Sequence, residues 1–358
     1  MVPRSRYLPL LLISIMVNIN VCLGYICEGD EVCINLSVAA EFTELICSGH
    51  ASCAGSQFTL TCNEEKCKVF CIGHEACSSM MADMDKVESI ECVGFEACER
   101  SELALLVSQD FAVKCDGPKA CYMTELVAEF DESVKEGAIM KGVDCEGARA
   151  CYQASLTMHR VENVKCQQFE SCGRASYQLV NVAPGFQFHA DGAHSFYRGT
   201  LDLLFSGAPL PYPQADVLIA EPIGRTPSPT TASPTTPAPT TPAPTTAVPT
   251  TASPTYPFDL DIGIDQIVCE GSEACLNAVI NIDNESGELL VIEELKCIGW
   301  EACSNLVIDV LNGEATIKKC ICDAPHPYSC TCAQGLEICQ EIEGEWSQQG
   351  TDYYSCTS

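Results

Sequence analysis

CIGHEAC at residues 71–77 and CVGFEAC at residues 92–98 carry two cysteines, a glycine and an alanine at identical offsets. The same spacing recurs in CEGDEVC (Cys27, Cys33), CSGHASC (Cys47, Cys53), CDGPKAC (Cys115, Cys121), CEGARAC (Cys145, Cys151), CQQFESC (Cys166, Cys172), CEGSEAC (Cys269, Cys275) and CIGWEAC (Cys297, Cys303). With Cys71, Cys77, Cys92 and Cys98 there are nine copies. In the first block most copies start 20 to 24 residues after the previous one, a period that belongs to solenoids.

The residues between the copies say which kind of solenoid. Five and seven residues after each second cysteine stand pairs such as Phe58 and Leu60, Leu103 and Leu105, Leu156 and Met158, and Ile280 and Ile282. This alternation by two is the mark of a half-buried strand. A further apolar residue stands two places before most first cysteines, as in Leu45, Val69, Ile90, Val113, Val143 and Val164. Short strands recurring once per coil, each bonded to its counterpart in the next, make an all-β chain and a parallel β-helix, taken here as right-handed. An α-solenoid needs apolar residues three and four apart, whereas Leu126, Ala128 and Phe130 step by two.

The motif then reads as the corner of a coil. Glycine stands two residues after the first cysteine in every copy except CQQFESC, where Gln168 replaces it. A sharp corner needs a backbone free to take positive φ. The residue before the second cysteine is small or β-branched, from Val32 and Ser52 to Ala76 and Ala302. Equivalent residues of stacked coils lie about 4.8 Å apart, so an inward column at a corner has little room. Pairing within a motif closes a loop worth roughly 2 kcal/mol. Pairing between neighbouring coils is the alternative, because connectivity does not follow from sequence.

Twenty-seven cysteines point to an oxidising, extracellular setting. Residues 1–24 read as a signal peptide: Arg4 and Arg6 precede the apolar run Leu8–Val17, and Cys22 and Gly24 fit a cleavage site before Tyr25. No later segment is expected to span a membrane. The net charge of −30, or −32 without the two leader arginines, argues against nucleic acid and anionic lipid as partners.

Residues 226–257, as in PTTPAPTTPAPTTAVPTTASPT, are nearly all Thr, Pro, Ala and Ser and read as a disordered, O-glycosylated linker. It divides the chain into a long cysteine-rich module, 25–225, and a short one, 258–358. Residues 185–205 of the first are expected to cap its last coil, and residues 129–142 to form a loop insertion. Cys62 and Cys67 read as an extra bridge, and the six cysteines from Cys320 to Cys356 as a disulfide cap.

Candidate site residues lie on the corners. An acid stands four residues after the first cysteine in six copies, Glu31, Glu75, Glu96, Glu170, Glu273 and Glu301, a ladder that raises calcium as a ligand. Lys119 and Arg149 interrupt it and are expected to pair with Glu96 and Glu170, so no cofactor is required. Phe95, Phe169 and Trp300 project from motif tips as ligand contacts for a glycan or protein. Asn35 (NLS) and Asn284 (NES) are N-glycosylation acceptors. No nucleophile motif, HExxH or phosphate loop is present.

The CxGxxAC repeat resembles cysteine-rich secreted repeat proteins of unicellular and algal eukaryotes, classed as a domain of unknown function. The likeness covers residues 27–172 and 269–303, with CQQFESC degenerate, and implies a β-helix and an extracellular setting but no activity. The expected function is a non-catalytic scaffold of the cell surface or matrix, its two modules gaining avidity through the linker. A polysaccharide-active enzyme and a calcium-dependent adhesin are the alternatives.

Overall fold

A computed structural model describes residues 25–62, 67–130, 134, 138–205, 263–323, 330–334, 338–343 and 346–348. The expected signal peptide and linker, residues 131–133 and 135–137 of the 129–142 insertion, and the pairing of Cys330, Cys332 and Cys356 lie outside them. Among the described residues there is no α-helix, and so none long and apolar enough to cross a membrane. Every strand pairing among the described residues is parallel, as coils that repeat in one direction require.

Each coil has two strands and two bends. In coil 6, Ser155–His159 leaves the disulfide corner, the chain bends at Arg160 (φ 52°), and Val161–Gln167 runs back into the next corner. Leu156 pairs with Leu126 on one side and Tyr177 on the other; Val164 pairs with Val143 and Phe188. Equivalent positions therefore stack into columns, and the inward columns are the core: Leu126, Leu156, Tyr177 and Leu201 are all buried. The first cysteines form one such column, Cys27 to Cys47 to Cys71 and onward in exact register.

Each first cysteine is bonded to the second of its own motif, from Cys27–Cys33 to Cys297–Cys303, and Cys62 is bonded to Cys67. These bonds mark an oxidising environment. The backbone of each corner is also bonded to the next: Gly73 N donates to Val93 O (2.8 Å), Glu75 N to Phe95 O (2.9 Å) and Cys77 N to Ala97 O (2.6 Å). Hydroxyls at the corner exits add to this, Ser101 Oγ donating to Cys77 O (2.7 Å) and Thr124 Oγ1 to Cys98 O (2.6 Å).

Gly73 shows why the motif keeps its glycine. Its φ is +132°, and a Cβ there would lie 2.5 Å from the carbonyl oxygen of Gly49 in the preceding coil. Gln168 carries a side chain at the same position with φ 82°. The coils part locally: Gly147 N to Gln167 O is 3.4 Å, against 2.8 Å for Gly117 N to Glu146 O one coil earlier. Gly73→Ala is expected to destabilise by about 3 kcal/mol, and Gln168→Gly to stabilise by about 1 kcal/mol, in denaturant melts. Equal effects of the two would remove this account of the corner.

The division into two modules is corrected by the structure. Strand Phe186–Asp191 pairs with Gly263–Glu270, and Thr200–Phe205 with Val279–Asn284, so the second cysteine block stacks directly on the first. Both belong to one compact unit. Residues 185–205 are accordingly a coil in the interior of the stack in place of the expected cap.

Its corner, ADGAHSF at 190–196, is a tenth copy of the motif with both cysteines replaced. Ala190 stands in the cysteine column between Cys166 and Cys269. Phe196 stands where the second cysteine would, packed edge-on to Phe188 (4.8 Å) and stacked on Tyr177 (6.0 Å). Gly199 leaves the space: a Cβ there would meet the Phe196 ring at 2.3 Å. Rings thus fill the volume a disulfide occupies elsewhere.

Tyr177 is fully buried, its hydroxyl donating to Cys172 Sγ (3.0 Å), and burial pushes its phenol well above the usual value. At the far end Cys320 is bonded to Cys339, tying Glu314–Asp323 to Cys339–Glu343.

Candidate binding ridge along the disulfide corners

Ten corners stacked in register make one continuous ridge. The tip position, three residues after the first cysteine, reads from coil 2 to coil 10 His50, His74, Phe95, Pro118, Ala148, Phe169, Ala193, Ser272 and Trp300. Phe95, Phe169 and Trp300, named from sequence as ligand contacts, remain 39%, 46% and 46% exposed. They stand three coils apart, or about 14 Å at the strand spacing, with two small residues in each interval. This regularity is invisible in sequence, because the cysteine-free coil and the linker break the count.

The side chains around the tips are held by one another. His50 stacks on His74 and His74 on Phe95, centroids 5.0 Å apart in both cases. Lys119 Nζ sits over Phe95 (5.4 Å) and Tyr122 (5.5 Å) and bonds to Glu96 (2.7 Å), which raises its pKa. Arg149 pairs with Glu170. Tyr122 and Tyr152 stack at 5.8 Å, with Arg149 and Arg174 over Tyr152. Phe169 meets His194 edge-on (5.7 Å), and His194 meets Tyr197 in the same way (5.6 Å).

The tyrosines and Arg174 and Arg198, at seven and eight residues past the first cysteine, were not singled out from sequence. Aligning the copies at those offsets exposes Tyr122 and Tyr152, but Tyr197 and Arg198 require ADGAHSF to be seen as a copy.

Four of the six acids of the ladder have a basic side chain beside them. Glu96 is paired with Lys119, Glu170 with Arg149, Glu273 with His194 (3.2 Å), and Glu75 lies 3.5 Å from His74. Burial, followed by repulsion from Glu96, raises the pKa of Glu99 on the same ridge.

Away from the ridge, the sheet leading into the corners carries a shallow hollow of about 290 Å³ lined by Glu91, Lys114, Lys141, Asp144 and Asn163 among others. Asp144 Oδ1 is buried there with no hydrogen-bond donor on it.

The two glycosylation candidates part company. Asn35 is exposed. Asn284 is 1% exposed, and its Nδ2 donates to Glu288 O (2.7 Å) and Glu314 O (2.8 Å) while Oδ1 accepts from Ser286 Oγ (2.6 Å). A glycan on Nδ2 would break both donations, so Asn284 is withdrawn as an acceptor in the folded chain. Glycopeptide mapping is expected to find sugar at Asn35 and an unmodified Asn284; an occupied Asn284 would contradict the packing.

No protein-family model, curated protein or solved structure matches the chain.

Proposed function

We propose that the protein is a secreted, non-catalytic binding scaffold of the cell surface or extracellular matrix, engaging a glycan or protein along the corner ridge. The observation that carries this reading is the column Phe95, Phe169 and Trp300, three exposed rings at regular intervals on one body. Closed corners fix the backbone beneath each ring, so little ordering entropy is lost when a ligand is met. Rings in fixed register suit a repeating ligand, since the second and third contacts form at high effective concentration. The resemblance of the repeat to secreted cysteine-rich proteins supports the setting and adds nothing about the ligand.

Retention of the purified chain on cell-wall or matrix material tests it. Each of Phe95→Ala, Phe169→Ala and Trp300→Ala is expected to weaken retention roughly fivefold to thirtyfold, the ordinary cost of losing an aromatic anchor. Retention of the triple variant at the level of the parent would end the ridge reading. The second reading, a polysaccharide-active enzyme, is favoured by the unpartnered Asp144 oxygen in the acid- and lysine-lined hollow. Glycan cleavage that disappears in Asp144→Asn would establish it instead.

A further inference from the structure

We propose that His50, His74 and Glu75 form a binding site for a borderline divalent transition cation, with Zn²⁺ as its probe. The two imidazoles hold the same tip position in coils 2 and 3 and lie face to face, 5.0 Å between centroids and 19° from parallel. Glu75 follows directly, its Oε1 3.5 Å from His74 Nδ1. One nitrogen from each ring and one carboxylate oxygen all lie within 4.8 Å of one another. Donors on a tetrahedral zinc with bonds of about 2.0–2.2 Å are separated by roughly 3.3 Å, so small side-chain rotations complete the set.

The backbone under these side chains is already fixed. Cys47–Cys53 and Cys71–Cys77 close the two corners, and Ala51 N donates to His74 O (2.8 Å). Phe95 stacks on the other side of His74 at 5.0 Å and limits where that ring can turn. Two imidazoles and one carboxylate suit zinc, copper or nickel; calcium takes six or more oxygens. His50 and His74 are exposed and Glu75 partly so, which leaves outward coordination positions open to water or to a donor from a partner. His194 lies beside Glu273 in a similar way (3.2 Å) but, among the described residues, has no second imidazole next to it, and serves as an internal control.

The test is calorimetric titration of the untagged full chain with ZnCl₂ at pH 7.5. One site is expected, weakened at least about tenfold by His50→Gln or His74→Gln, since even indirect supports of a metal ligand cost that much. Glu75→Gln is expected to weaken it less and His194→Gln to leave it unchanged. Binding should weaken in acid, where protons compete with the metal for its ligand atoms. Excess CaCl₂ should not compete. Absence of zinc binding, unchanged binding in both histidine variants, or displacement by calcium would overturn the proposal. The metal-free variants are expected to melt with the parent, as the side chains are on the surface. Heat of zinc binding and retention on matrix are separate readouts, so this site stands or falls apart from the ridge ligand.

Discussion

Cut at a protease site inserted within residues 226–257, the chain will still elute as one particle in buffer and will separate into two fragments only in denaturant. The prediction follows from where the chain re-enters the stack. Phe188 pairs with Ile267, Leu201 with Ile280 and Leu203 with Ile282, all six buried. The corner bonds also cross the junction without a break: Gly192 N donates to Glu270 O (2.8 Å), His194 N to Ser272 O (2.9 Å) and Phe196 N to Ala274 O (2.6 Å). Asn281 Nδ2 adds a side-chain bond to Asp202 (2.7 Å). Among the described residues no disulfide spans the junction, so denaturant alone should release the halves without reductant. Two peaks in buffer would mean that the blocks are separate modules after all. If the halves stay together, the cut should leave matrix retention unchanged, which replaces the linker avidity expected from sequence.

Phe196→Ala is expected to cost about 3–5 kcal/mol, as for other buried aromatic truncations, and to lower the thermal midpoint by roughly 10 °C. The loss should exceed that of an equivalent truncation elsewhere, because coil 8 has no disulfide to hold its corner shut. Phe188 and Tyr177 would each lose a ring contact, and Gly199 would be left facing a void. In the cut protein the same substitution should loosen the fragments, since this coil is the one that carries the second block. A variant that melts with the parent would show that the ring is dispensable and that the backbone ladder alone holds the junction.

The coil, its two strands and its corner were legible because each depends on local rules: alternation by two, a glycine where φ must be positive, a small residue where columns crowd. Lys119 with Glu96 and Arg149 with Glu170 were legible too, since neighbouring coils place equivalent residues side by side. The unity of the stack was not. No cysteine marks the corner ADGAHSF, which solves the same packing problem with Ala190 and Phe196. Without that copy the linker looked like a boundary, and the interval from Phe169 to Trp300 had no count. Asn284 is hidden from sequence for a related reason: a sequon reports on three residues, whereas the fate of the amide is set by Glu314, 30 residues away.

The disulfides also bear on how the protein is made. Each motif cysteine bonds a partner six residues on, so as the chain emerges the first thiol to arrive after it is the correct one. Oxidation can therefore keep pace with synthesis at about 5–20 residues per second, each ring closing before the next coil exists. Cys320 is different. Its partner, Cys339, is 19 residues away, and Cys322, Cys330 and Cys332 all arrive first. Mispairing, and any need for disulfide isomerisation, should accordingly concentrate around Cys320 and Cys339, where several thiols compete at once.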